Sequence, residues 1–313
     1  MPSIVAVIVT YKRPGELLRL LEGLAASEMP LAGCVISDHA SNGGAREVAR
    51  QTPIKTIVLE DPSNPGPGAG WAHAAREALA RFPELEAIWY LDDDVVISPT
   101  DLGILWEEMH RSEAAAIAPL LEDSAGQLWA FPEPVLTNLR AAIRAATTPP
   151  EALQLLGEDP IPFCWCTGAC FLVGKAALEN TGLHRKDFWM LGEDLEYSMR
   201  IAFQTTAVFT CRVAVPHLPP ENPDPHKARL ADYLKFCSLL QNLSYLSFHA
   251  AESRHMKRYL PGNFRRFFRT HGFRWQALRD AFFCFWHGAL GGQPAGLSAG
   301  QSLRQRIHSS SHS

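Results

Sequence analysis

The chain has 313 residues, 47% apolar, 20% charged and 10% aromatic, a balance that excludes a disordered, collagen-like or disulfide-stapled polypeptide. Its 29 basic and 33 acidic side chains leave a formal net charge of −4, which speaks against a general nucleic-acid binder. The total hides a division: residues 1–225 carry 16 Lys and Arg against 30 Asp and Glu, and residues 226–313 carry 13 against 3, so the two stretches either attract each other or meet different partners.

Ile4–Thr10 (IVAVIVT) is a continuous apolar, β-branched run, the pattern of a strand buried on both faces. Pro14 opens a helical pattern through Leu17, Leu18, Leu21 and Leu24. Cys34–Ile36 is a short second strand ending at Asp38, and Thr56–Leu59 a third. Gly66–Gly70 reads as a glycine-proline turn before a helix over about Trp71–Ala80. Ala87–Leu91 (AIWYL) is a fourth strand and runs straight into Asp92, Asp93 and Asp94. This βαβα order predicts an α/β fold, a mostly parallel sheet flanked by helices. In such sheets ligands bind beyond the carboxyl ends of the strands. Thr10, Tyr11, Asp38, the Asn64 loop and the Asp triplet all fall there.

Further along, Asp101–Met109 reads as a helix, and Pro132, Pro134, Pro149 and Pro150 punctuate a less regular stretch. Phe163–Val173 reads as one buried strand, Asp194–Phe203 as a helix with Glu193 and Asp194 at its start, and Val213–Val215 as a short strand before Pro216 and His217. The division that follows is a catalytic domain over 1–217, a proline-rich linker over 218–225, a basic, aromatic-rich helical region over 226–307 and a mobile tail over 308–313. Amphipathic helices are expected near Leu230–Glu252, Asn263–Thr270 and Trp275–His287.

The seven cysteines sit mostly among apolar neighbours, and no signal peptide precedes the first apolar run. Reduced thiols in a cytoplasmic protein are expected. Cys164, Cys166 and Cys170 lack the C-x2-C spacing of zinc sites and read as small buried residues. The longest uncharged stretch, Ala281–Leu303, is too broken by glycines and a proline to span a membrane.

Asp92, Asp93 and Asp94 are the strongest local feature. Adjacent carboxylates repel unless a cation or donors offset them. In an extended chain Asp92 and Asp94 share one side and Asp93 takes the other. Two same-side carboxylates suit Mg2+ or Mn2+, hard ions that bridge to a diphosphate. Asn64–Gly70 (NPGPGAG) has neither P-loop nor G-x-G-x-x-G spacing and is read first as a tight turn. Glu193 and Asp194 at a helix start also have a capping explanation.

In order along residues 4–217, VAVIVTYKRPGELLRLLEGL, SDHASNGG, NPGPGAGWAHAAREAL, IWYLDDDVVISP and FWMLGEDLEYSMRI resemble an inverting family 2 glycosyltransferase of the GT-A fold, most of all its galactofuranosyl- and rhamnosyltransferase-like branch. The resemblance implies that Thr10, Tyr11, Asp38, Asn64, Gly66, Gly70, Asp92 and Asp93 bind the nucleotide and donor sugar. It implies a metal, Mn2+ or Mg2+, on Asp92, Asp94 and His217. Asp194 is then the catalytic base with Glu193 beside it, and Trp165, Gly168 and Trp189 form the acceptor side. The donor implied is a nucleoside-diphosphate sugar, with a UDP-sugar favoured and galactofuranose as the sugar. The acceptor is a glycan or lipid-linked hydroxyl. Trp71 and His73 depart from the family, where glycine and asparagine are common, and leave the donor sugar open. Two other readings stay open on the residues alone, a sugar nucleotidyltransferase and an inactive sugar-nucleotide-binding scaffold.

In residues 254–279, arginines and lysines from Arg254 to Arg279 interleave with phenylalanines and tryptophans. That pattern fits either a helix on the inner face of an anionic cytoplasmic membrane or packing on the catalytic domain or a second subunit.

Overall fold

The computed structural model describes residues 2–130, 132–135, 139–218, 225–249 and 256–291. The described residues fall into two compact units. One is drawn from Met1–Asn64, Gly70–His184 and Tyr197–Pro220, the other from Pro65–Ala69, Arg185–Glu196 and Glu221–Ser313. Of the expected linker, residues 219–224 lie outside the described residues, as do the 308–313 tail and Arg254.

The first unit is an α/β sheet. Its strands are β1 (Ile4–Tyr11), β2 (Gly33–His39), β3 (Thr56–Asp61), β4 (Ala87–Asp92), β5 (Ala116–Glu122), β6 (Leu128–Ala130), β7 (Glu133–Pro134), β8 (Ile161–Trp165), β9 (Cys170–Gly174) and β10 (Ala207–Pro216). They lie in the order β3-β2-β1-β4-β9-β5-β10-β8-β7, with β6 paired to β5. β1 to β4 run parallel, as do β5 and β10, while β9 runs antiparallel between β4 and β5.

The continuous apolar run of β1 is explained by two cores. Val5 and Val7 point to one face, against Ala74, Ala75 and Ala78 of α3 (Pro67–Arg81). Ile4, Ala6 and Ile8 point to the other, against Leu17, Leu20 and Leu21 of α1 (Pro14–Ala25) and Leu102 and Leu105 of α4 (Asp101–Arg111). Successive side chains alternate, so a strand covered on both sides has no polar position to spare.

Several sequence expectations need correction. Phe163–Val173 is two strands, β8 and β9, with a turn between whose Ala169 carbonyl accepts the Asp92 amide at 2.9 Å. The helix expected from Trp71 begins at Pro67, inside the glycine stretch, because proline at the first helical turn loses no hydrogen bond. β10 has ten residues, not three. The stretch read as irregular holds α5 (Leu139–Ala145) and α6 (Pro149–Leu156). Thr148 caps α6 by accepting the Glu151 amide at 3.4 Å, and the Glu151 carboxylate takes the Thr147 amide at 2.8 Å. α2 (Gly44–Ala49) and α7 (Lys175–Thr181) complete the helices lying wholly in this unit.

Trp71 is buried with His184, Tyr90 and Tyr197. The His184 ring lies 5.0 Å from Trp71, 4.7 Å from Tyr90 and 3.7 Å from Tyr197. Burial, with Arg200 adding to it, holds the imidazole well below its ordinary value, so it is neutral in the native chain. Unfolding exposes it to protonation below about pH 6.5. Stability is therefore full above that pH and falls as pH drops below it, by about 1 kcal/mol per pH unit, until the lower native pKa is reached. His184→Phe is expected to flatten that limb, read as a smaller loss of urea midpoint between pH 7 and pH 5 than the parent shows.

In the second unit, α9 (Pro225–His249), α10 (Leu260–His271) and α11 (Trp275–Ala289) overlap the three expected helices, but α9 is not amphipathic: it is buried on nearly every side between residues 236 and 247. Leu234, Cys237 and Leu240 of α9 form a core with Phe267 of α10 and Ala277, Ala281 and Cys284 of α11. A Cβ on Gly288 would lie 2.1 Å from the Gln241 carbonyl oxygen, so α11 crosses α9 at a distance only glycine permits. α8 (Glu193–Gln204) gives its first four residues to this unit and the rest to the sheet unit. The seven cysteines are free, and all but the half-buried Cys164 are buried.

Candidate active site

β1, β2 and β4 bring their carboxyl ends to one level of the sheet. Thr10 pairs with Asp38 across β1 and β2, and Val9 with Asp92 across β1 and β4. The chain strains as it leaves these strands: Lys12, Ala40 and Asn42 have φ of +58°, +57° and +52°. Such conformations persist where the surroundings over-determine them.

Asp92 ends β4, Asp94 lies in the turn that follows, and both face His217. One ligand atom from each lies within 4.8 Å of the others. The His217 Nε2 is 3.1 Å from Asp94 Oδ1 and 3.7 Å from Asp92 Oδ2. His217 is delivered by the end of β10. Its amide donates to the Glu122 carbonyl at 2.8 Å, and the Leu218 amide to the Asp94 carbonyl at 2.8 Å. Burial alone would lower the His217 pKa, but Asp92 and Asp94 outweigh it and push it up to about 9. Asp94 moves the other way: burial opposes its charge, yet His217 and Arg13 hold it below the ordinary carboxylate range.

Asp93 is held by β1 and the segment that follows it. It accepts the Thr10 hydroxyl at 2.7 Å and an Arg13 N–H at 3.0 Å. Burial raises its pKa to about 7, with Asp94 and Asp92 adding to the rise against the pull of Arg13 and Thr10. The same Arg13 nitrogen donates to Asp94 at 2.8 Å. The Thr10 hydroxyl is thus engaged by Asp93, while Tyr11 next to it is exposed.

Asp38 is 2% exposed, and neither carboxylate oxygen takes a hydrogen bond from any described residue. A buried carboxylate without donors costs several kcal/mol. It sits two strands from Asp92, roughly 10 Å by strand spacing. Beside it His39 contacts the Ser37 hydroxyl at 3.1 Å, and burial holds its imidazole below the ordinary value despite Asp61 and Asp38. A Cβ on Gly70 would lie 2.8 Å from the His39 ring, so glycine here lets α3 close onto β1 and β2.

The acidic cluster fits a divalent cation by its donors. Two carboxylates and an imidazole suit Mn2+ and are tolerable for Mg2+. Asp94 Oδ1 is buried and has no well-aligned hydrogen bond despite its nearness to His217, leaving a lone pair for an ion.

Two neighbours went unseen in the sequence. Arg13 stands in the YKRP segment directly after β1, so its charge at a strand end was a usable signal. Trp129, on β6, lays its ring 4.2 Å from that of His217 and is 47% exposed; no spacing in the sequence connects the two.

The second unit holds the other candidates. Gly66 has φ +95°, and a Cβ there would lie 1.9 Å from the Trp189 carbonyl oxygen. Gly68 faces the Arg185 carbonyl and Glu193 in the same way. Trp189 is sunk in the core around Leu234 and Phe267. Glu193 is buried in the first turn of α8. Half-buried Asp194 follows it and accepts the Leu195 amide at 2.8 Å. The preceding loop is strained, with Leu191 at φ +57° and Gly192 at +101°. Asn242 of α9 holds it, donating to the Leu191 carbonyl at 2.7 Å and the Met190 carbonyl at 3.3 Å. Asn242→Ala is expected to destabilise the chain by about 1–2 kcal/mol, because two carbonyls lose one donor group, measured by urea unfolding. On the sheet unit, Trp165 is half-buried at the end of β8 and Gly168 is buried in the turn that follows. A cavity of about 790 Å3 lined by Pro83, Glu86, Trp106, His110 and Lys175 contains none of these residues.

At the strand ends of this α/β sheet, Asp92, Asp94 and His217 form a cluster that could hold a metal ion. The model of glycosyl transferase family 2 matches residues 5–177, and the chain belongs to that family. The galactofuranosyltransferase GlfT1 of Mycobacterium tuberculosis is 28% identical over 146 residues, 46% of this chain and 43% of that protein. The match therefore spans less than half of that relative. S. aureus TarS 1–349 in complex with UDP-GlcNAc superposes with a TM-score of 0.60 at 14% identity, over 92% of this chain and 81% of that one. The mannosyltransferase PcManGT from Pyrobaculum calidifontis, in complex with GDP-Man and Mn2+, gives 0.55 at 16% identity, over 100% and 81%. These likenesses show the GT-A fold expected from the sequence.

Proposed function

We propose that the chain transfers a sugar from a nucleoside diphosphate to an acceptor hydroxyl, with inversion at the anomeric carbon. UDP is the favoured nucleotide and galactofuranose the favoured sugar, in line with the galactofuranosyltransferase relative. The observation that carries the reading is the unpartnered Asp38 carboxylate two strands from Asp92, Asp94 and His217. A nucleobase N–H satisfies Asp38, and the strand spacing leaves room for a ribose before the diphosphate meets the acidic cluster.

Asp92, Asp94 and His217 would hold Mn2+ or Mg2+, which supplies positive charge to the leaving diphosphate. Asp93, tied to Thr10 and Arg13, fixes the turn that presents its two neighbours. Asp194 takes the proton of the attacking hydroxyl, with Glu193 beside it. One base and direct displacement invert the configuration. Trp165, Gly168 and Trp189 belong to the acceptor side, and the acceptor is a glycan or lipid-linked sugar. The catalytic domain is residues 1–217, followed by the helical region 226–307.

The test is nucleotide release from UDP-, GDP- and dTDP-sugars, including UDP-galactofuranose, with Mn2+ and with EDTA. UDP release from UDP-galactofuranose that EDTA abolishes is the expected result. Pyrophosphate release from a nucleoside triphosphate and a sugar 1-phosphate would make the chain a nucleotidyltransferase. No turnover of any donor would leave a binding protein.

A further inference from the structure

The outward face of the C-terminal helices is built the wrong way round for water. On α11 the buried face carries small residues, Ala277, Ala281, Cys284 and Gly288 with Asp280. Trp275, Phe282 and Trp286 of α11, and Leu290 just after it, point outward and are 50% to 80% exposed, while Phe283 and Phe285 are half-buried. With Arg279 the four exposed residues recur at steps of four, three, four and four, one stripe along the helix. Phe273, 75% exposed in the turn before α11, extends the stripe. A ridge this apolar is not expected to stay in water without a partner.

The charge around the ridge is of one sign. On α10, Arg265, Arg266 and Arg269 are exposed, and Arg274 and Arg279 are exposed on the turn and on α11. Phe264 of α10 packs against Phe282 and Phe285 of α11, with ring centroids 6.4 Å and 5.7 Å apart, so the arginine-bearing helix adjoins the ridge. The one carboxylate in residues 256–291, Asp280, is buried, bonded to the Tyr233 hydroxyl at 2.9 Å and paired with Arg279 at 3.2 Å, which leaves Arg265, Arg266, Arg269 and Arg274 without a carboxylate on these helices. No helix among the described residues is long and apolar enough to cross a membrane.

We propose that the outward face of α10 and α11 docks in the headgroup region of an anionic lipid membrane, with the tryptophan ridge inserted and the arginines on lipid phosphates. Two tryptophans with a cationic rim suit the boundary between headgroup and acyl chain. Arginine forks match phosphates, and several basic side chains supply the attraction that makes such binding stable. Charge selects the bilayer over a second copy of this chain. Two copies of the face would bring arginines against arginines, and neither α10 nor α11 carries an exposed carboxylate to offset them; the exposed Asp232 near His271 belongs to α9. The proposal stands independently of the donor and the reaction.

The test is co-sedimentation of the full chain with vesicles of phosphatidylglycerol and phosphatidylcholine, and with phosphatidylcholine alone, at about 50 mM and about 500 mM NaCl, where screening differs severalfold. Binding is expected only to the anionic vesicles, weaker by at least ~10-fold at high salt. Trp275→Ser/Phe282→Ser/Trp286→Ser and Arg265→Glu/Arg266→Glu/Arg269→Glu are each expected to weaken it by at least ~10-fold. Quenching of the unsubstituted chain's tryptophan fluorescence by bromine-labelled lipid tests insertion without any substitution. Absence of binding to anionic vesicles, or binding that both folded variants retain, overturns the proposal. So does a dimer in sedimentation equilibrium that the Trp/Phe/Trp variant abolishes.

Discussion

Asp194→Asn is expected to lower turnover at least ~100-fold, the scale of losing a general base, while UDP affinity in the presence of Mn2+ stays at the parent value. Asparagine keeps the shape of the side chain and its oxygen still accepts the Leu195 amide, which Asp194 holds at 2.8 Å. The strained Leu191–Gly192 turn has no reason to move. What is lost is the basic oxygen alone, so the loss falls on kcat and spares ground-state binding. Single-turnover rates with saturating donor, beside calorimetric UDP titration, give the two quantities. Turnover close to the parent would remove Asp194 from the base role and leave the helix-start explanation for it.

Asp94→Asn is expected to act on both quantities. Asp94 lies within 3.1 Å of His217 and 2.8 Å of Arg13. Neutralising it removes an anionic ligand from the cluster and leaves Asp92 and His217, too few protein ligands to hold a hard divalent ion well. Turnover should fall at least ~1,000-fold, on the order of 4 kcal/mol of transition-state stabilisation. Mn2+-dependent UDP binding should weaken in parallel. Thermal melting separates this from unfolding, because an asparagine side chain at this position keeps the shape of the turn. A variant that binds UDP and Mn2+ as the parent does would show that the ion sits elsewhere. The two substitutions thus make opposite statements about donor binding.

The parts of the fold readable in advance were those with strong local signals. β1 and β4 are unbroken apolar runs because both faces are covered, and the acid triplet follows from where β4 stops. Asp92 and Asp94 do meet at His217, but through a turn and not an extended strand, and one Arg13 nitrogen reaches both Asp93 and Asp94. The split between β8 and β9 was hidden because CWCTGAC reads as apolar throughout, while the turn is set by distant partners. The Ser198 hydroxyl bonds both the Cys166 amide and carbonyl, at 3.1 Å and 3.0 Å, and Ala169 meets Asp92. α6 was readable and overlooked: Thr148-Pro-Pro-Glu151 is a capping signature. The antiparallel insertion of β9 depends on long-range pairing that no local pattern encodes. At the site, His217 was reached through the family resemblance, whereas Trp129 is brought to it by tertiary packing alone.

The cysteine inventory offers a practical handle. Six of the seven thiols are enclosed, and burial raises the Cys211 thiol to about 11 and those of Cys34 and Cys170 further still. Alkylating reagents need a reachable thiolate. The native chain should therefore take up a single maleimide, at Cys164, visible by intact mass. That position adjoins Trp165 at the end of β8, so a fluorophore placed there would test the proposed acceptor side as sugars are titrated, without any engineered residue.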